Sequence, residues 1–376
     1  MPSEPRPLFR VWPGLLPHVG FEAVGDFPTR VERLSELAPG LDGDLGEVWV
    51  KRDDLSSAVY GGNKVRTLEP LFGQARREGR SAVYATGAYG SNHAVATVLH
   101  GQRLGFRTGV MLFPQPFSSA AEENLRISMT QADSVIDLPH WSCLPASVAF
   151  RRFRDRHDEL LIMPPGGAIP RGCLGFVSGA LELGMQIQAG ELPAPKEIVL
   201  ALGSTCSTAG LLVGLRVAAR LGLGFSDGRA SETPPLLVAV RVTPWPVTSR
   251  FRVLGLAARV ARWLHELTGD RAFAIERRQL SEALVIDGGY LGAGYARPTP
   301  SGLCAIERLE PFSRALDTTY SAKSAAALLD RSHQPLAGPR LFWSTKSGAA
   351  LPSVAPAAVT AGPRRMRRWL EKGLHP

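Results

Sequence analysis

Predicted strands and helices alternate along most of the chain, and this alternation limits the fold more than any other feature. "EVWVKRDD" (47–54) predicts a strand that continues to Asp54, and a helix follows in "NKVRTLEPLFGQARREG". The same order recurs in "SAVYATGAYG" and "SNHAVATVLHGQRLG", and after Pro165 in "KEIVLALGS" and "STAGLLVGLRVAARLG". Because a helix that connects two strands usually leaves them parallel, the sequence predicts an α/β fold with mainly parallel sheets.

Composition excludes several classes of protein. A chain of 376 residues is long enough for two domains. The net charge is +9, but the basic residues are dispersed, which favours solvated helix faces over a nucleic-acid partner. No apolar run approaches the ~18 residues of a membrane helix, and the N-terminus lacks the layout of a signal peptide. The four cysteines have no metal-ligand spacing, so we expect free thiols in a cytoplasmic protein.

Three loops follow predicted strands, at the edge of a parallel sheet where ligands bind. They are "YGGNK", "TGAYGSNH" and "LGSTCSTAG". In the third loop, small residues allow close approach to a ligand, four hydroxyl groups can donate hydrogen bonds, and a helix begins. Free N–H groups at a helix N-terminus attract a phosphate. This loop therefore indicates a phosphate cradle, with a Ser/Thr-rich helix cap as the alternative.

The first loop supplies a lysine in a chain that uses arginine for most of its positive charge. Lys64 is one of six lysines among 43 basic residues. A buried lysine has a lowered pKa and becomes a nucleophile toward aldehydes. A phosphate cradle together with such a lysine indicates pyridoxal 5'-phosphate as the cofactor. The alternative is a solvent-facing lysine, although a cation at the start of a helix is slightly unfavourable.

Several ordered segments resemble one enzyme family. "VWVKRDDLSSAVYGGNKVRTLE", "GSNHAVA", "MPPGGAIPRGCLGFVSGALEL", "GSTCSTAGLLVGL" and "LDTTYSAKSAAALL" are similar to the pyridoxal-phosphate enzymes that group aminocyclopropane-carboxylate (ACC) deaminase with D-cysteine desulfhydrase. The resemblance implies a two-domain tryptophan-synthase-β-like fold. Residues 1–64 and 171–376 would form a large cofactor-binding domain, residues 65–170 would form a smaller inserted α/β domain, and the protein would be a homodimer.

The resemblance also implies roles for individual residues. Lys64 matches the lysine that binds the cofactor covalently, and Asn63 precedes it at the site. Ser91 matches the serine beside the substrate carboxylate, and Asn92 matches the asparagine beside the cofactor ring. Tyr295 and Tyr320 match two active-site tyrosines. The phosphate loop corresponds to Ser204, Thr205, Cys206, Ser207 and Thr208.

Two further positions distinguish the activities of the family. Deaminases have a glutamate and a leucine where this chain has Ser321 and Thr345. A carboxylate near the pyridine nitrogen strengthens the electron sink that ring opening needs, whereas a hydroxyl suits elimination of a leaving group from Cβ. We therefore expect β-elimination from a small amino acid such as D-cysteine, giving pyruvate, ammonia and a thiol or sulfide. The alternatives are ACC deamination, β-replacement and a catalytically altered cofactor-binding protein.

The chain also departs from the family pattern. Thr67 stands where the family usually has a lysine that faces the phosphate. Gly90 and Val95 replace the usual glutamine and arginine of the serine loop, and Cys206 and Lys346 stand where smaller residues are usual. Because these positions are expected around the pocket, they bear on the identity of the substrate more than on the cofactor.

Overall fold

The structure is a computed structural model that describes residues 5–41, 45–154, 160–225, 233–354 and 359–374. Its strands are β1 Val31–Arg33, β2 Val48–Lys51, β3 Ala82–Ala88, β4 Arg107–Phe113, β5 Ser134–Asp137, β6 Leu160–Met163, β7 Glu197–Leu202, β8 Leu236–Arg241, β9 Leu284–Asp287 and β10 Arg340–Trp343.

Among the described residues, the helices of the first half are α1 Pro7–Val11, α2 Leu16–Val19, α3 Leu34–Leu37, α4 Asn63–Arg77, α5 Asn92–Arg103, α6 Ser119–Gln131 and α7 Leu144–Arg154. The second half supplies α8 Pro170–Gln188, α9 Cys206–Arg220, α10 Arg250–Thr268, α11 Arg277–Glu282, α12 Pro300–Arg308, α13 Ser321–Ser332 and α14 Arg364–Leu374.

The larger sheet has six strands in the order β1-β2-β10-β7-β8-β9. All of its pairs are parallel except β1 with β2. Successive residues of each central strand enter opposite core layers: Ile198 packs with α8, α9 and α10, whereas Val199 packs with α12 and α13. Helices on both faces explain why these strands are apolar throughout.

The smaller sheet has four parallel strands in the order β5-β4-β3-β6. All four strands lie between residues 82 and 163, inside the predicted inserted domain, whose exact boundaries stay a prediction. The predicted division assigns the C-terminal helix to the large domain. In the structure, Met366 and Leu370 of α14 lie in one buried cluster with Tyr89, directly after β3, and Val110 of β4.

The prediction of an α/β fold with mainly parallel sheets is confirmed. The strand predicted over 47–54 extends three residues too far at its C-terminal end, because β2 ends at Lys51 and a short 3-10 turn covers Asp53–Leu55. Asp53 and Asp54 are buried there, and each forms an ion pair with a different arginine. Among the residues that the structure describes, no helix is both long and apolar enough to cross a membrane.

Candidate active site

The predicted loops meet at the carboxyl edge of the larger sheet. Asn63, at the start of α4, donates from Nδ2 to Ser207 Oγ at 3.1 Å and from its backbone N–H to Thr345 O at 3.0 Å. The loop before α4 also reaches the smaller sheet, since Tyr60 OH donates to Asn92 Oδ1 at 2.9 Å. The structure thus brings together the ends of β2, β3, β7 and β10.

Lys64 is the second residue of α4 and is partly buried. Gly62 precedes the helix with φ +84°, and a Cβ at this position would lie 2.6 Å from Thr345 O, so only glycine allows this approach. Burial lowers the pKa of Lys64, and the neighbouring Cys206 partly opposes the shift. The amine is therefore more readily neutral and nucleophilic than that of an exposed lysine.

A buried ion-pair network fixes the helix that carries Lys64. Arg66 Nε donates to Asp53 Oδ2 at 2.7 Å, and its NH1 donates to Glu182 Oε2 at 3.0 Å. Trp343 Nε1 also donates to Asp53, and Lys51 Nζ donates to Glu182 at 2.6 Å. The sequence analysis missed this network, although charged residues inside apolar segments were a signal for it.

The third loop forms a cradle at the N-terminus of α9. Thr205 precedes this 15-residue helix with φ +74°, and no side chain caps the helix. The first-turn N–H groups have no intrahelical partner and are available to an anion. The Ser207 and Thr208 side chains begin the helix, while Ser204 lies against Gly166, where a Cβ would come within 2.3 Å of the serine side chain.

The Cys206 thiol packs in the interior behind the cradle. Its Sγ lies 3.8 Å from Thr67 Oγ1, 3.8 Å from Cys173 Sγ and 3.3 Å from Gly167 O, and both cysteines are fully buried. The hydrogen bond from Cys173 lowers the pKa of Cys206, an effect that burial opposes and Lys64 supports. Cys206 can therefore serve the cradle through its backbone N–H rather than its side chain.

Ser91 and Asn92 begin α5 on the other side of the cleft. Ser91 Oγ accepts from Ala94 N at 3.2 Å and caps the helix. Asn92 Oδ1 accepts from Tyr60 OH and, at 2.7 Å, from Asn124 Nδ2. These bonds fix the orientation of the Asn92 amide. Sequence reasoning missed Tyr60 and Asn124, because their contacts join distant parts of the chain.

Two buried polar side chains at the site lack partners in the described ranges. They are the His93 imidazole, at both ring nitrogens, and the Ser344 hydroxyl directly after β10. Burial, followed by the positive charge of Lys64, lowers the pKa of His93 to about 3, so the ring is neutral near pH 7. Buried polar atoms in proteins are nearly always hydrogen-bonded, and a polar ligand would satisfy atoms such as these.

Tyr295 and Tyr320 meet through their hydroxyls, which lie 2.5 Å apart. Burial raises the pKa of Tyr295 to about 12 and that of Tyr320 well above its ordinary value. Both phenols are therefore protonated near pH 7. The Tyr320 ring lies beside Gly203 of the cradle, and Lys323 Nζ donates to Leu291 O and Gly294 O in the loop that carries Tyr295.

Ser321 is buried at the first position of α13. Its Oγ donates to Asp317 Oδ2 at 3.0 Å and accepts from Asp317 N at 2.7 Å. The other carboxylate oxygen of Asp317 accepts from the backbone N–H groups of Thr319 and Tyr320. Both hydrogen bonds of the Ser321 hydroxyl are thus made to Asp317, a residue that the sequence analysis did not identify. Thr345 contributes the carbonyl that accepts from Asn63.

This set of donors fits pyridoxal phosphate. An uncapped helix start with two adjacent hydroxyl side chains suits a phosphate, and a lysine with a lowered pKa suits an aldehyde. The unpartnered nitrogens of His93 and the Ser344 hydroxyl supply further polar contacts. All the residues predicted for the site lie on the loops and helix starts that converge here, while their individual roles stay predictions.

Comparisons with known proteins agree with this chemistry. A family model described as "Pyridoxal-phosphate dependent enzyme" matches residues 23–340. Nocardicin C-9' epimerase of Nocardia uniformis subsp. tsuyamanensis is 33% identical over 326 residues, which cover 85% of this chain and 90% of the relative. D-cysteine desulfhydrase of Klebsiella pneumoniae subsp. pneumoniae is 29% identical over 332 residues, covering 84% and 92%.

A crystal structure of an ACC deaminase homologue has the same fold. The TM-score is 0.70, with 24% identity and coverage of 92% of this chain and 95% of that one. The match to the family model spans most of the chain, and the uncapped helix and Lys64 fit the cofactor that this family uses. The chain therefore belongs to the family of pyridoxal-phosphate-dependent enzymes, and pyridoxal 5'-phosphate is its cofactor.

Proposed function

We propose that the protein is a lyase that expels a leaving group from Cβ of a small amino acid such as D-cysteine, giving pyruvate, ammonia and a thiol or sulfide. The observation that carries this proposal is the Lys64 amine, with its lowered pKa, beside the uncapped start of α9. Ser321 stands at the position where the deaminases that the chain resembles have a glutamate. Its hydroxyl is hydrogen-bonded to Asp317, and a hydroxyl at this position favours elimination over ring opening. The 29% identity to D-cysteine desulfhydrase also supports the proposal.

Lys64 would bind the cofactor and act as the base. The first-turn N–H groups of α9, with Ser207 and Thr208, would hold the phosphate. Bound pyridoxal phosphate supplies an electron sink for the negative charge that develops at Cα. Because burial lowers the pKa of Lys64, its amine loses its own proton more readily than an exposed lysine and can then accept the Cα proton.

The other side chains would orient the substrate and move protons. Ser91 and the fixed amide of Asn92 would position the substrate carboxylate and the cofactor ring. Tyr295 and Tyr320 are protonated near pH 7 and share one hydrogen bond, so either phenol can donate a proton to the departing thiolate. A cytoplasmic location and a homodimer, both of which rest on the sequence prediction, complete the proposal.

Chemical labelling tests the role of Lys64. Borohydride reduction of the holoenzyme, followed by peptide mapping, should place a pyridoxyl group on Lys64. Lys64→Ala should lose the label and lower pyruvate formation from D-cysteine by about 10²–10⁴-fold or more. Lys196→Ala changes an exposed lysine directly before β7 and should leave both unchanged. A label on Lys323 or Lys346 would contradict the assignment.

A second candidate is epimerisation at Cα, because the relative with 33% identity is an epimerase. Both reactions begin with removal of the Cα proton. They differ afterwards, since an epimerase returns a proton to the opposite face of Cα, whereas a lyase loses the Cβ substituent. Incubation of single enantiomers in D₂O distinguishes them: inversion with deuterium at Cα and without pyruvate would favour the epimerase.

A further inference from the structure

A large cleft lies next to the proposed reaction centre. Its volume is about 660 Å³, and it shares Asn92 and Tyr320 with the site. Lys64 does not line it, so the cleft extends away from the proposed reacting lysine. Pockets of about 300–1,000 Å³ usually hold drug-sized ligands. The cleft is therefore larger than an amino acid as small as cysteine requires.

The walls of the cleft are apolar over part of their length. The segment after β10 contributes Leu351, Pro352 and Val354, and α6 contributes Ala120 and Ile127. Surfaces of this kind bind hydrocarbon groups by excluding water. This part of the cleft suits a chain of methylene groups or a ring.

Two positive side chains stand on the wall that carries the apolar segment. Lys346 Nζ donates to Arg314 O and Ser347 O, each at 3.3 Å, which leaves the third donor of the ammonium group free. Within the described ranges, neither Lys346 nor Arg314 forms an ion pair.

The remaining charges of the cleft lie on the other wall or are engaged. Arg126 and Glu123 belong to α6, and Arg126 is paired with Glu122 at 2.8 Å. Asp317 is buried and accepts from Ser321 and from two backbone N–H groups. The unpaired positive charge therefore belongs to Lys346 and Arg314.

We propose that the cleft accepts an extended, largely apolar side chain of the substrate, and that Lys346 and Arg314 bind an anionic group at its end. The proposal rests on the proposed function only in that the substrate is an amino acid. The proposal gives a reason for a lysine at position 346. The preceding residue, Thr345, accepts a hydrogen bond from Asn63 beside Lys64, and Lys346 itself lines the adjoining cleft.

Ligands that bind without reacting test this proposal separately from the reaction. An α-methyl amino acid has no Cα proton, so it stops both a lyase and an epimerase. Calorimetry on the holoenzyme would compare α-methylcysteine derivatives with 3-carboxypropyl, butyl and 3-aminopropyl groups on sulfur, as both enantiomers. The carboxypropyl ligand should bind about tenfold more tightly than the butyl ligand, and high salt should reduce this difference.

Matched variants assign the effect to named residues. Lys346→Gln keeps hydrogen-bonding groups without the charge and should remove most of the preference for the carboxylate, and Arg314→Gln should reduce it. Lys196→Gln should leave it unchanged. Equal affinities for the carboxypropyl and butyl ligands, tightest binding of the aminopropyl ligand, or a preference that survives both exchanges would overturn the proposal. Carboxylate-selective binding, with no pyruvate formed from the matching S-carboxypropyl-cysteine that keeps its Cα proton, would instead uphold it and refute the lyase.

Discussion

At the scale of single residues, the environment of Ser321 determines what this position can accept. Its hydroxyl completes the hydrogen bonding of Asp317, and both side chains are buried. A glutamate here, as in the deaminases that the chain resembles, would place a second carboxylate beside the first. Replacing Ser321 alone by glutamate would therefore bring two carboxylates together, because Asp317 is already buried beside this position.

Ser321→Glu should lower the free energy of unfolding by about 3–5 kcal/mol, because a buried charge would lack a partner. Repulsion and burial raise the pKa of one carboxyl of the pair. The loss of stability should therefore be present at pH 7 and should shrink as the pH falls and that carboxyl takes up a proton. Urea unfolding at several pH values measures this.

Two variants control for the change at position 321. Ser321→Ala removes the hydroxyl without adding charge and should cost about 1–2 kcal/mol. Ser301→Glu places the same side chain in the first turn of α12, where Ser301 is exposed, and should be tolerated. Equal stability of Ser321→Glu and Ser301→Glu would show that Asp317 does not constrain the position.

The sequence predicts some site residues well and others not at all. Lys64, Ser91 and the cradle lie in the short segments between a predicted strand and the next predicted helix, and the chemistry of these segments is local. Asp317 and Asn124 could not be found in this way, because their roles arise from contacts made by the fold: Asp317 engages the start of α13, and Asn124 reaches Asn92 from α6. The hydrophobic periodicity of a segment and the spacing of its motifs do not indicate contacts between residues that are distant in the sequence.

At the scale of elements, α4 is held in place by ion pairs beneath its first turn. Arg66 contacts both Asp53 and Glu182, and all three side chains are buried. Arg66→Met should therefore lower the free energy of unfolding by about 3–5 kcal/mol, because two carboxylates lose their cation. It should also weaken cofactor binding, since Lys64 lies two residues before Arg66 in the same turn. Denaturant unfolding and cofactor titration measure the two effects.

The pH dependence identifies the interaction that is lost. Burial alone would raise the pKa of Glu182, but Arg66 and Lys51 outweigh it and lower the pKa from 4.5 to about 2. The stability that this carboxylate contributes is present above pH 4.5 and is lost as the pH falls toward 2. The difference in the free energy of unfolding between the native protein and Arg66→Met should therefore become smaller as the pH falls from 4.5 toward 2.

Arg278→Met is the control for the loss of an arginine. Arg278 pairs with Glu282 on the exposed face of α11, so its replacement should leave stability and cofactor binding unchanged at every pH. If Arg66→Met behaved in the same way, the buried network would not be what fixes α4.

The elements themselves differ in how far the sequence predicts them. Long apolar strands such as β7, and helices with a clear period such as α9, could be predicted directly. The edge strands β5 and β9 have only four residues each, "SVID" and "LVID", and such segments are too short to establish a period. The structure stabilises them by pairing with β4 and β8.

At the scale of the whole molecule, the C-terminal helix completes the smaller sheet's core. Met366 is fully buried in the cluster that contains Tyr89 and Val110, and Trp369 Nε1 donates to Gln115 O. Met366→Ala should lower the free energy of unfolding by about 2–5 kcal/mol. Glu371→Ala changes an exposed residue of α14 and should have little effect. Thermal unfolding of both variants checks this, and equal stability would mean that α14 is not part of this core.

The fold class could be predicted because alternating strands and helices specify a parallel sheet from local sequence alone. The placement of α14 could not. The segment after Pro363 has the pattern of a helix, but no local signal indicates which sheet its apolar residues cover. Only the packing of Met366 and Leu370 decides this.

In the described parts of the chain, two segments connect strands of the two sheets and a third leads from β10 toward α14; each begins or passes at the site. The first runs through Lys64 and α4, the second through Gly166 and Gly167 against Ser204 and Thr67, and the third through the segment after Thr345. A change in the angle between the sheets must be absorbed by backbone rotation at these joints. A ligand that contacts these segments would restrict such rotation, so we expect occupancy of the site to influence the relative position of the two sheets.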